Sequence, residues 1–370
     1  MADLPEPDRI EGAPHPRETR RLFGQDAAEA VILNAFAQDR LHHGWLIIGP
    51  RGVGKATLAW RMARFLLATE PGGGLFGAPQ TLDIDPEHPV ARTIAAGATP
   101  GLMSIRRAPN DRGDKLKAMI TVDEVRKLRD FFGLSAADGG RRIVIVDAAD
   151  DLNVNAANAL LKLLEEPPKG AMLLLIAHQP SRLLPTIRSR CRALRLGGLT
   201  PEDMAAALEQ AVGHTDDSVA LAELSGGSVG EAIRILNGGG LALYVEIVTL
   251  LAQLPRISRV ELRGLCDSVS GKTAETRFDL LVGLLDLALA RLARTGALGQ
   301  SLPEAARGEA ALFARLSPDT RAARRWADLA ADLGARARAG RAVNLDPGAL
   351  VLDMFLRLEA AARPLAASPL

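Results

Sequence analysis

The run over residues 44–67, GWLIIGPRGVGKATLAWRMARFLL, admits few folds. A short apolar stretch, 45–48, leads into a glycine-rich loop, and apolar residues then recur at helical spacing. Strand, tight loop and helix in that order form one unit of a parallel sheet. The same rhythm continues downstream. The spacing predicts strands over 103–106, 142–146 and 172–177, separated by helices over 122–134 and 154–165, with an earlier helix over 26–38. Strands spaced by helices predict an α/β domain, a parallel sheet covered by helices on both faces.

At 370 residues the chain exceeds one ordinary domain. Its net charge of +1 excludes a globally basic nucleic-acid coat. Cys191 and Cys266 lie far apart and predict no disulfide framework, which fits a reducing, cytoplasmic setting. Residues 1–20 are polar and proline-rich without the apolar core of a signal peptide, and predict a flexible arm. The most apolar windows are short or interrupted by charge, so no membrane partner is expected. Between 68 and 101, glycine and proline break the pattern, predicting an insertion with one short helix. After Leu196 the chain turns helical. Thr200 caps a helix that has Pro201 in its first turn, three short helices precede the 238–240 glycines, and the rest is helical to a last helix capped by Asp346.

The glycine loop carries recognisable chemistry. In G-x-x-x-x-G-K-[ST], successive amides cradle phosphates, the lysine pairs with them and the hydroxyl holds magnesium. Here Gly49, Pro50, Arg51, Gly52, Val53, Gly54 and Lys55 complete the loop, but the next residue is Ala56. Thr57 stands one position on, about 100° around the helix, and is a poor substitute. An apolar strand should then deliver a metal-binding aspartate followed by a glutamate that activates water. The run 143–152, IVIVDAADDL, delivers Asp147 and then Ala148. Retained amides and lysine predict a loop that can hold ATP phosphates without hydrolysing the nucleotide. A zinc module is not expected, since 68–142 contains no cysteine and His88 is its single histidine.

From 158 to 191, NALLKLLEEPPKGAMLLLIAHQPSRLLPTIRSRC, the sequence resembles bacterial clamp-loader subunits, AAA+ proteins of the DNA polymerase III holoenzyme. ALLK-x-LEEPP followed by a strand, a proline and I-x-SRC is a specific combination. The stretches 23–36 and 40–55 match the opening of the same family. The resemblance covers 16–240 and implies a AAA+ phosphate-loop domain over 21–199, a small helical lid over 200–239 and a helical collar over 240–370. The motor subunits of this family, tau and gamma, keep the hydroxyl after the lysine, Asp-Glu at the second acidic site and a sensor arginine in GS-x-R-[DE]-A. This chain has Ala56, Ala148 and Gly230 at those positions, and Ala177-His178 where the first sensor is expected. Those four departures imply a subunit that has lost its own ATPase.

What the resemblance assigns to such a subunit is an arginine finger. The SRC arginine, Arg190, would reach a neighbouring subunit's ATP, while Ser189 and Cys191 read as structural. Its implied partners are the tau/gamma and delta subunits, with the sliding clamp and primer-template DNA reached through the complex. Read from the residues alone, Arg190 is a surface arginine capping a helix, with Arg188, Arg192 and Arg195 close by, and the resemblance alone makes it a finger. Two rival functions stand beside this one. One is an active motor ATPase, opposed by Ala56, Ala148 and Gly230. The other is a DNA-binding regulator using the arginine-rich segment 321–341.

Overall fold

The computed structural model describes residues 6, 9–69, 79–110, 112–113, 115–133, 140–270 and 275–366. They fall into two compact units, the first holding 1–215 with 227–231 and the second 216–226 with 232–370.

The first unit is an α/β layer structure. In chain order its elements are α1 (Asp26–Ala37), β1 (Gly44–Ile48), α2 (Lys55–Ala68), α3 (Pro89–Ala95), β2 (Leu102–Arg106), α4 (Val122–Gly133), β3 (Arg142–Asp147), α5 (Val154–Glu165), β4 (Ala171–Ala177), α6 (Pro185–Ser189), β5 (Arg192–Arg195) and α7 (Pro201–Val212). All five strands are parallel, in the order β2-β3-β4-β1-β5. The central strands β1 and β4 are buried along their whole length, which is why they read as unbroken apolar runs. Period-two alternation divides them between two cores. Met172, Leu174 and Ile176 face the α1–α2 side with Phe36, Leu58 and Phe65. Leu173, Leu175 and Ala177 face the α4–α6 side with Leu128, Leu160 and Ile187. A parallel sheet of this order between two helical layers, entered through a glycine loop after β1, is the AAA+ arrangement.

The N-terminal stretch departs from the expected flexible arm. His15 is buried and meets the Trp60 ring edge-on at 5.9 Å between centroids. The Arg64 guanidinium donates to the Arg17 carbonyl at 2.5 Å, and that of Arg61 to the Arg20 carbonyl. Both arginines sit on α2 at buried positions, where unpaired charge is costly. The carbonyls of the N-terminal stretch, with Glu29 and Asp83 on Arg61, supply the acceptors and fix that stretch in place.

The second unit is helical: α8 (Ser218–Ser225), most of α9 (Val229–Asn237), α10 (Gly240–Ala252), α11 (Arg259–Ser268), α12 (Glu275–Leu298), α13 (Glu309–Leu316), α14 (Thr320–Ala342) and α15 (Pro347–Ala366). Leu281, Leu285, Ala288, Leu289 and Leu292 run along the buried stripe of α12. One polar cluster lies inside it. Glu309 accepts from the Tyr244 hydroxyl at 2.6 Å and from Arg291 Nε at 2.8 Å, while Arg291 Nη1 reaches Glu223 at 2.8 Å. The Asp346 cap expected from sequence is present, accepting from the Ala349 amide at 2.8 Å. Among the described residues no single helix is long and apolar enough to cross a membrane.

Candidate functional site

Three neighbouring strands end together. Ile48 is level with Ala177, and Asp147 with Ile176, so the chain leaves β1, β3 and β4 within one residue of a common line. Open α/β sheets place ligands at such carboxyl ends. Gly49, Pro50, Arg51, Gly52, Val53 and Gly54 form the loop after β1, and Lys55, Ala56 and Thr57 begin α2. Asp147 closes β3. The sequence-predicted phosphate loop and acidic position therefore do meet, with His178 beside them at the end of β4.

Their electrostatics are those of a closed crevice. Lys55 is 3% exposed, and its ammonium donates to the loop's own carbonyls, Gly49 at 2.8 Å and Pro50 at 2.5 Å. Burial pulls its pKa from 10.5 to about 8, opposed by the carboxylates of Asp147 and Asp150. Burial, with the charge of Lys55 added, holds His178 down at about 4, so its imidazole is neutral at physiological pH. His178 Nδ1 is buried with no hydrogen-bond partner among the described residues.

Two features at this end were not legible as site residues. Asp150 is buried and accepts from the amides of His178 at 3.1 Å and Gln179 at 3.0 Å, tying the turn after β3 to the end of β4. Ser228 donates to the Arg51 carbonyl at 2.8 Å and accepts from the Glu231 amide at 3.1 Å. That Ser-x-x-Glu spacing is a helix-start signature, and it was available in the sequence. Beside it the Gly230 amide donates to the Gly52 carbonyl at 3.0 Å. The two backbones touch there. A Cβ on Gly230 would stand 2.8 Å from Gly52 Cα and 2.8 Å from Ile10 Cδ1. Gly52 itself has φ +74°, and a Cβ on it would meet Ser228 Oγ at 2.4 Å. Glycine at 230 therefore has a local cause, since the start of α9 is packed against the phosphate loop too closely for a side chain.

Lys55 and the amides around it suit a phosphate group, once the lysine exchanges its carbonyl partners for phosphate oxygens. The metal half of a nucleotide site does not fit these residues. Asp147 keeps a carboxylate at this point, but Ala56 brings no hydroxyl to hold a metal and Ala148, buried at 4% exposure, no carboxylate to activate water. Among the described residues no group of three or more His, Cys, Asp or Glu could hold a metal ion.

Arg190 lies elsewhere. It caps α6 just before β5, and β5 pairs Arg192 with Trp45 near the start of β1. The phosphate loop follows the opposite end of β1, a strand of five residues or roughly 16 Å. The structure thus brings Asp147 to the loop and does not bring Arg190 there. Its guanidinium is 38% exposed, donating to the Thr186 carbonyl at 3.1 Å and pairing with Glu165 at 2.8 Å. Arg188 is exposed on the same short helix, and Arg192 stacks over the Trp45 ring at 5.1 Å. Burial raises the Cys191 thiol to about 12, which leaves it inert as a nucleophile.

Residues 24–200 match the family described as DNA polymerase III, delta subunit. DNA polymerase III subunit delta' of Pseudomonas aeruginosa is 39% identical over 212 residues, 54% of this chain and 57% of that protein. The delta' subunit of Bacillus subtilis is 31% identical over 208 residues, 55% of this chain and 57% of that protein. DNA polymerase III subunit gamma of Buchnera aphidicola is 27% identical over 228 residues, covering 60% and 58%. The chain spans a little over half the length of these relatives. Over about half of its length, therefore, the chain is similar to DNA polymerase III delta' subunits and, at lower identity, to a gamma subunit.

Proposed function

We propose that this chain is the delta prime subunit of a clamp loader, a AAA+ subunit without ATPase activity of its own. It supplies Arg190 in trans to the ATP held by a neighbouring tau/gamma subunit, within a complex that places a sliding clamp on primer-template DNA. The observation that supports this most is the separation just described. Arg190 is half-exposed beside the amino end of β5, a strand's length from its own phosphate loop, a placement that suits contact with another molecule's nucleotide better than with its own. A guanidinium suits that task because it stays protonated and presents a planar fork of donors to a γ-phosphoryl group. Such a finger is worth roughly 10³–10⁵ in rate at the site it serves.

The hydroxyl missing at Ala56 and the carboxylate missing at Ala148 support the other half of the proposal. A phosphate loop that offers Lys55 and amides without that hydroxyl and that water-activating carboxylate can contribute binding at most. The segment 200–239 and the helices after 240 are proposed as lid and collar, the latter for joining the delta and tau/gamma subunits. The rival DNA-binding use of 321–341 is weakened by ion pairs from that segment to carboxylates outside it, Arg336 to Asp353 and Arg341 to Asp279. The test is a loader reconstituted with Arg190→Ala. It should assemble normally and lose part of its DNA-stimulated ATP turnover and clamp loading, while Arg188→Ala leaves both near the parent values. Equal losses in the two variants would contradict the assignment. Arg192 is a poor control, because its removal also strips the Trp45 ring of its stacking partner.

A further inference from the structure

The Arg190 side chain is held from two directions. One contact is internal to α6, where Nη1 donates to the Thr186 carbonyl at 3.1 Å. The other comes from a different element. Nη2 lies 2.8 Å from Oε1 of Glu165, the last residue of α5. That helix is well anchored, with Asn153 capping it through the Ala156 amide at 2.8 Å and Ala156, Ala157, Leu160 and Leu164 buried beneath it. Glu165 thus stands at the end of a fixed lever, while α6 is five residues long and could not orient a long side chain alone.

Two contacts from two elements define the plane of the guanidinium. They use two of its five N–H donors and leave three, Nε–H and one on each terminal nitrogen, for a further acceptor. An unrestrained arginine would have to give up most of its rotamer freedom on meeting a phosphoryl group. A pre-set fork gives up less, and positioning of this kind acts on the rate of the chemical step. We propose that Glu165 is a positioning residue for Arg190, holding the fork in the orientation in which it meets a neighbouring subunit's nucleoside triphosphate. This inference rests on the trans role of Arg190 proposed above. Exposed ion pairs are individually weak, so the effect is expected to be modest, about 3–5-fold.

The experiment uses the reconstituted complex with ATP as probe, and four forms of this chain: Glu165→Ala, Glu165→Gln, Arg190→Ala and the double substitution to alanine. Glu165→Ala should lower kcat about 3–5-fold at unchanged KM for ATP, since binding stays with the neighbour's own loop. Glu165→Gln keeps an acceptor oxygen at the same place and should recover most of that loss. In the Arg190→Ala background, Glu165→Ala should add nothing. In the free chain, the ¹⁵N-labelled guanidinium signals of Arg190 should be resolved for the parent and averaged for Glu165→Ala, which reads orientation without any turnover. An unimpaired Arg190→Ala complex would overturn the trans reading and this inference with it. An impaired Arg190→Ala beside a fully active Glu165→Ala, or an equal loss from Glu165→Ala with and without Arg190, would overturn this inference alone.

Discussion

Lys55 shows how a retained motif residue can act against its own fold. Its folded pKa, about 8, lies below the ordinary 10.5, so between those values the unfolded chain holds a proton that the folded chain has released. Stability contributed at this position therefore rises with pH from about 8 to 10.5, and below about 8 the burial cost is present in full. Lys55→Met should accordingly stabilise the protein at pH 7, by on the order of 2–3 kcal/mol, with the advantage fading through that window. Urea denaturation at a series of pH values checks this. A less stable variant at pH 7 would mean that the bonds to the Gly49 and Pro50 carbonyls outweigh desolvation. Gly230 makes a sharper case. Gly230→Arg, which restores the motor subunits' residue, should cost about 1–3 kcal/mol, because its Cβ must displace Gly52 or Ile10. An unchanged melting temperature would show that the contact yields freely.

At the scale of elements, α5 spans the expected 154–165 to the residue, since its apolar positions repeat at helical spacing, while its Asn153 cap was read only from the structure. The strand expected over 172–177 begins one residue earlier, at Ala171, and α4 ends at Gly133, with residue 134 outside the described residues. β5 was not legible. Only Leu194 of its four residues is buried, and an edge strand of arginines shows no alternation to read. The packing of residues 9–20 was hidden for another reason, because it depends on two arginines within an otherwise apolar helix and on where their acceptors fall. The cluster around Glu309 is likewise visible only in three dimensions, as its members come from α8, α10, α12 and α13. Glu309→Ala leaves the Tyr244 hydroxyl without its acceptor and Arg291 with Glu223 as its one carboxylate partner, and should destabilise the helical unit by about 1–3 kcal/mol. Loss of less than 1 kcal/mol in a denaturation curve would show that water reaches the cluster.

For the whole molecule, sequence periodicity was enough for a parallel sheet between helices, while the register was not. That Ile48, Asp147 and Ala177 end on a common line is a property of strand pairing, as is the distance that separates Arg190 from its own phosphate loop. This separation gives the chain two distinct ends. One carries a phosphate loop without its metal-binding hydroxyl, and the other a half-exposed arginine paired with Glu165. On the proposed function, the second end matters to turnover and the first does not. The most direct test compares Lys55→Ala with Arg190→Ala in the same reconstituted complex, measuring DNA-stimulated ATP hydrolysis at saturating ATP. The predicted result is a parent-like rate for Lys55→Ala and a partial loss for Arg190→Ala, corresponding to at least a tenfold fall at the one site served. A loss with Lys55→Ala and a parent-like rate with Arg190→Ala would contradict the account.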